Sequence, residues 1–77
     1  MTIGQLREVV KAVPFRPFRL HLGDGGALDV PHPDFLAIHP TGRVAIVFGP
    51  KDQFEIVDTL LVTSIEVGNG MRRRKKA

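Results

Sequence analysis

Apolar residues along this chain keep two rhythms, one helical and one alternating. Ile3, Leu6, Val9, Val10 and Val13 fall on a single helical stripe, with Arg7, Glu8 and Lys11 off it. That spacing predicts an amphipathic helix over residues 2–13. Thr2 followed three residues later by Gln5 is a capping-box pair. Gly4 and three valines lower the intrinsic helix preference, so packing on a partner surface has to hold the helix. Pro14 ends it, because a proline disfavours helix in the residue before it.

The rhythm then changes. In "PFRPFRLHL", residues 14–22, Pro17 cannot donate to a ladder and suits the first residue or edge of a strand. Phe18, Leu20 and Leu22 alternate with Arg19 and His21, the pattern of a half-buried strand. "GDGG" (23–26) is a hairpin turn and "ALDV" (27–30) the return strand. "PHPDF" (31–35) holds two prolines in three residues, which predicts a kink or bulge before the extended chain resumes at 35–38. "HPTGR" is the next turn. "VAIVF" (44–48) is apolar at every position, so both of its faces are expected to be covered. "FEIV" (54–57) has Phe54 and Ile56 on one face. "LLVTSIEV" (60–67) is a last strand with Ile65 and Val67 inward and Ser64 and Glu66 outward. The link at Asp58 and Thr59 predicts a tight corner. The sum is mainly β with one N-terminal helix: about five short, bent antiparallel strands forming a small barrel. Residues 1–68 make a single helix-plus-barrel domain. Residues 69–77 lack periodicity and read as a basic, mobile tail.

Composition narrows the function. At 77 residues the chain buries only about 60% of its unfolded surface and needs a staple. With no cysteine, disulfides and thiolate metal sites are excluded, and self-association is the remaining staple, so a homo-oligomer is expected. The "VAIVF" and "LLV" runs are its candidate interface. No apolar run reaches a membrane span and no signal peptide is visible, so the expected location is cytoplasmic with no membrane partner. The net charge of +3 misleads. Five of the eleven Lys and Arg are Arg72, Arg73, Arg74, Lys75 and Lys76; the other six stand against all eight acidic residues within 1–68, a net charge of −2.

Candidate chemistry is sparse. His21, His32 and His39 with Asp34 are the right types for zinc or iron, but none has the spacing of a preorganised pair, and they read as surface and turn histidines. Asp24, Asp29, Asp34, Asp52 and Asp58 mostly flank turns, where aspartate bonds its own backbone. No nucleophile motif and no phosphate-cradling glycine loop is present, so no catalytic residue and no cofactor is assigned. Of the phenylalanines 15, 18, 35, 48 and 54, most are expected in the core, with Phe15 and Phe35 the exceptions beside prolines. Arg16 and Arg19 are placed to touch phosphate from one edge, or to pair with Glu55 or Glu66.

"PFRPFRLHLGDGGALDVPHPDFLAI" followed by "FEIVDTLLVTSIEV" resembles a group of small bacterial proteins sharing a PFRPF…DG…VPHPDF layout, which brings no assigned activity. The helix followed by five strands also resembles the Sm-like fold, including the bacterial host-factor RNA chaperone. Here "LHLGDGGALDV" stands at the first hairpin and "LLVTSIEV" at the final strand. Two departures stand out. Asp29, Val30 and Pro31 occupy the place of the usual second-strand glycine, and none of Asp58, Thr59 and Leu60 matches the RNA-contacting turn of the host-factor family. The second resemblance implies a ring-forming barrel and carries over no RNA-binding residue.

The resulting expectation is a non-catalytic binding module on an Sm-like or SH3-like barrel, a homo-oligomer that binds RNA or another nucleic acid. Arg72, Arg73, Arg74, Lys75 and Lys76 would supply the phosphate contacts, with Arg16 and Arg19. The alternative is a protein-interaction or structural module in which the tail is incidental.

Overall fold

The structure is a computed structural model that describes residues 2–68. Helix α1 (Ile3–Lys11) opens with a reciprocal cap. The Gln5 amide donates to Thr2 Oγ1 at 3.1 Å, and the Thr2 amide donates to Gln5 Oε1 at 2.9 Å. The helix is shorter than the apolar stripe suggests. It stops at Lys11, and Val13, expected on the stripe, is 95% exposed. Pro14 biases the backbone before it out of the helical region, so the last stripe position is spent outside the helix. Leu6 is the anchor, fully buried, with Ile3, Val9 and Val10 packed around the same core.

Six strands follow: β1 (Phe18–Leu22), β2 (Ala27–Val30), β3 (Leu36–Ile38), β4 (Val44–Phe48), β5 (Phe54–Asp58) and β6 (Val62–Val67). They form two antiparallel three-stranded sheets, ordered β2-β1-β6 and β3-β4-β5. The chain is mainly β with one N-terminal helix, as expected, but its strands number six rather than about five and lie in two sheets rather than in one small barrel. The cause lies in 31–35: Pro31 and Pro33 cannot continue a ladder, and Pro33–Phe35 form a single 3₁₀ turn instead. The return strand therefore ends at Val30 and resumes at Leu36 in the other sheet. A second 3₁₀ turn, Thr59–Leu61, makes the corner between the sheets, so the last strand begins at Val62 rather than at Leu60. Asp58 caps that turn by accepting the Leu60 amide at 2.9 Å.

Period two sorts the side chains. In the first sheet Phe18, Leu20, Val30 and Val62 face inward and are buried. In the second, Leu36, Ala45, Val47 and Val57 do the same. The helix lays Leu6 onto this core. One junction ties helix, turn and corner together. Arg7 Nη2 donates to Pro40 O at 3.3 Å, and the buried Thr59 hydroxyl donates to Gly42 O at 2.7 Å. Gly42 has φ +79°, and a Cβ there would come 3.0 Å from Ile3 Cγ1, so both conformation and space demand glycine. No helix among the described residues is long and apolar enough to cross a membrane.

Candidate interaction surface

The two sheets differ on their outer faces. In β2-β1-β6 the outward positions carry Arg19, His21, Asp29, Ser64 and Glu66. These are knitted together: Arg19 Nε donates to Asp29 Oδ1 at 2.6 Å, and His21 Nε2 lies 2.9 Å from Glu66 Oε1. The hydrogen bond to Asp29, reinforced by the nearby charges of Asp29 and Glu66, raises the Arg19 pKa above its ordinary value against the opposing pull of burial. This face holds its polar side chains in cross-strand pairs, Arg19 with Asp29 and His21 with Glu66.

The outer face of β3-β4-β5 is different. Antiparallel partners point to the same side, so Ala37 and Ile46, Ile46 and Ile56, and Phe48 and Phe54 share it, with Val44 beside Asp58. Phe54 is 60% and Ile56 66% exposed. Val44 and Phe48 are also exposed, and Leu60 and Leu61 continue the apolar surface past the end of β5. Both faces of 44–48 were expected to be covered. Only the Ala45 and Val47 side is; the other opens to solvent. The expectation for the aromatic rings reverses in the same way. Phe15 and Phe35 lie half-buried against the core, and Phe48 and Phe54 are the exposed ones.

The same sheet has a free edge. Among the described residues β5 pairs only with β4. The Gly49 amide donates to Gln53 O at 2.8 Å at one end of that ladder, and the Thr59 amide to Arg43 O at 3.1 Å at the other. Bonded and non-bonded pairs alternate in an antiparallel ladder, so between these ends Glu55 and Val57 turn their backbone groups toward β4. Phe54 and Ile56 therefore direct their N–H and C=O groups outward, along the edge, and Asp58 its N–H, its C=O serving the 3₁₀ turn that it caps. At the hairpin end of the sheet an open groove of about 440 Å³ runs between Leu28, Pro31 and Phe35 on one side and Val47, Phe48 and Phe54 on the other.

The other sequence candidates are scattered. His32 lies against the Phe35 ring, 6.3 Å between centroids. His39 Nδ1 accepts the Thr41 amide at 3.1 Å within its own turn. His21 is on the charged face with Glu66. No three His, Asp or Glu among the described residues gather where a metal could sit. Arg19 is engaged by Asp29 rather than by Glu55 or Glu66. Arg16 makes no ion pair with a described residue; its guanidinium lies over Gly68, where a Cβ would come 2.8 Å from Nη2. Arg72, Arg73, Arg74, Lys75 and Lys76 fall outside the described residues. The sequence candidates for an interface, "VAIVF" and "LLV", contribute Ile46, Phe48, Leu60 and Leu61 to the apolar surface; what the sequence did not single out is that Phe54 and Ile56 of β5 share the outer face with Ile46 and Phe48. Comparison with protein-family models, with curated proteins and with solved structures finds no match to this chain.

Proposed function

We propose that this chain is a small, non-catalytic binding module that works by docking a protein on the outer face of β3-β4-β5. One observation carries this: a sheet face whose outward residues are Ile46, Phe48, Phe54 and Ile56, beside a strand edge with no partner strand among the described residues, on a domain whose other sheet face is charged and internally paired. Apolar patches of this kind mark interaction surfaces in proteins that otherwise keep such groups inside. An exposed edge strand is itself a template for another chain.

The Sm-like reading of the fold has support in the strand order. Because β2 runs into β3 through one 3₁₀ turn, the two sheets string together as β6-β1-β2, then β3-β4-β5, with the remaining edges flanking the corner at Thr59. This is the order of a small Sm-like or SH3-like barrel that stays unclosed, and it suits a module that assembles with copies of itself. The layout shared with the small bacterial group would place those proteins in the same class.

A photo-crosslinking side chain at position 54, compared with one at position 19 on the charged face, tests the docking surface. A protein adduct from 54 and none from 19 is expected. Adducts at neither position, or at 19 alone, overturn the reading.

Nucleic-acid binding is the second reading, favoured by the rings of Phe48 and Phe54 on the hairpin that carries Lys51, since exposed rings beside a cation can stack bases. Arg19, held by Asp29, drops out of that role, and Arg16 remains. Binding of single-stranded RNA that weakens steeply with salt, and is lost on deleting 69–77 or on Phe54→Ala, would favour it over protein docking.

A further inference from the structure

We infer that the protein docked on this surface is a second copy of the chain, its β5 paired antiparallel with the first β5 about a two-fold axis through Ile56. The inference rests on the docking reading above and adds the partner and the register.

The backbone sets the terms. Among the described residues, Phe54 and Ile56 offer both backbone groups along the free edge of β5 and Asp58 its N–H, so any strand added there must bond to those residues. Two copies can meet in registers that differ by steps of two residues. With Ile56 opposite the other copy's Ile56, Phe54 falls opposite Asp58 and Glu55 opposite Val57, and all five strand residues are paired. Sliding one way sets Glu55 directly opposite the other Glu55, a like-charge pair that destabilises a ladder. Sliding the other way leaves only Ile56, Val57 and Asp58 paired before the 3₁₀ turn at Thr59 intervenes. The full register alone combines complete overlap with no like charges face to face.

The side chains agree. In that register Phe54 is the diagonal neighbour of the other copy's Ile56, so two Phe54 and two Ile56 side chains form one cluster across the seam. The strand carries two charges, Glu55 and Asp58, and otherwise lacks the devices that keep edges apart. Residues 54–58 contain no proline and no lysine, and their ladder with β4 is unbroken by a bulge. The two-fold seam leaves no free β5 behind, so the assembly closes at two chains. Five residues a side make a small seam against the roughly 1,200 Å² at the low end of stable interfaces, so the pair is a weak, concentration-dependent one.

The chain has no cysteine, which makes single-cysteine trapping clean. Facing residues of a hydrogen-bonded antiparallel pair have Cα atoms about 5.5 Å apart, within disulfide reach. Under mild oxidation Ile56→Cys should form a disulfide-linked dimer at least about tenfold faster than Phe54→Cys, since pairing raises the effective concentration of the facing thiols. Phe54 does not face its own copy in this register. An equal mixture of Phe54→Cys and Asp58→Cys chains should cross-link to each other, an independent reading of the same register. Light scattering on the unmodified chain should rise with concentration to the mass of two chains and stop there.

Equal rates for Ile56→Cys and Phe54→Cys, or no cross-link in the mixture, overturn the register. A mass above two chains that Ile56→Lys abolishes overturns the two-fold pair and leaves the docking surface standing. A chain that stays monomeric at millimolar concentration, while position 54 cross-links to a different protein, overturns the second copy and again leaves the surface. Monomer with no adduct at 54 overturns both.

Discussion

Ile46 of β4 and Ile56 of β5 lie directly opposite each other, on the side of their sheet turned away from the core. Their neighbours one residue along, Ala45 and Val57, are partners too, and both are buried. Adjacent rungs of one ladder thus meet opposite environments. The inner rung holds the domain together, and the outer one is free to hold something else.

Stability should register that difference. In dilute solution, where self-association is absent, Ile56→Lys is expected to change unfolding stability by no more than about 0.5 kcal/mol. Val57→Ala, one residue away, should cost about 1–3 kcal/mol through lost burial and the cavity it leaves. Urea unfolding of the two variants checks this. Equal costs would mean that the outer face is packed after all. At high concentration a dimer would add its own stabilisation by mass action, and Ile56→Lys should remove that part alone.

The helix hangs on few contacts. Leu6→Ala is expected to cost about 2–5 kcal/mol, a large fraction of what a domain of this size possesses. Thr2→Ala removes one half of the capping box and should cost about 1 kcal/mol. Circular dichroism during thermal unfolding would show both. A Leu6→Ala variant as stable as the parent would mean that the helix contributes nothing to the core.

Gly42 and Thr59 should behave as one unit, because the Thr59 hydroxyl donates to the Gly42 carbonyl. Gly42→Ala forces a side chain into a left-handed backbone and against Ile3, at a cost above about 1 kcal/mol. Thr59→Val leaves a buried carbonyl without its donor, at about 1–3 kcal/mol. The double variant should cost less than the two single changes together, with a coupling of at least about 0.5 kcal/mol. Strict additivity would show that the strain at Gly42 does not reach the Thr59 hydroxyl.

On the charged face the Arg19–Asp29 pair is half open to water on the aspartate side, so its worth is discounted to a surface value. Arg19→Ala should cost about 0.5–1 kcal/mol, and less at high salt. The sign of its pH dependence follows from the raised Arg19 pKa. The contribution of the arginine charge is fully present below the unfolded value and is lost only as pH rises through the higher folded value. The difference in stability between Arg19→Ala and the parent should therefore not shrink on the arginine's account between neutral and mildly alkaline pH. Urea titrations at several pH values measure it.

Much of this fold could be read from short-range pattern. Thr2 and Gln5 mark the helix start, and the alternation of Phe18, Leu20 and Leu22 marks β1, because both signals depend on neighbours a few residues away. Pro31 and Pro33 were legible as a break, but not as the place where the chain changes sheets, which depends on where β3 finds its partner. The docking face was legible in part, since "VAIVF" and "LLV" stood out as a candidate interface. "VAIVF" fits a strand covered on both sides as well as a strand with one apolar face bare. Deciding between them takes the register of β4 against β5, which aligns Ile46 with Ile56 and Phe48 with Phe54. For Arg19 the sequence pointed to Glu55 or Glu66 as ion-pair partners, and the pairing of β1 with β2 sets Asp29 opposite it instead.

The central place of β1 has a consequence for the order in which the molecule can be made. Its pairing with β2, and those of β3 with β4 and β4 with β5, join segments close in sequence and can form as hairpins while the chain is still being synthesised. Its other edge waits for β6, reached across 45 residues from His21 to Glu66. Until that late strand leaves the ribosome, Phe18 and Leu20 lack a neighbour on one side, and no earlier segment can stand in. The closing step of folding is therefore a long-range, entropically slow one, and a nascent chain paused before residue 62 is held as a set of loosely associated hairpins.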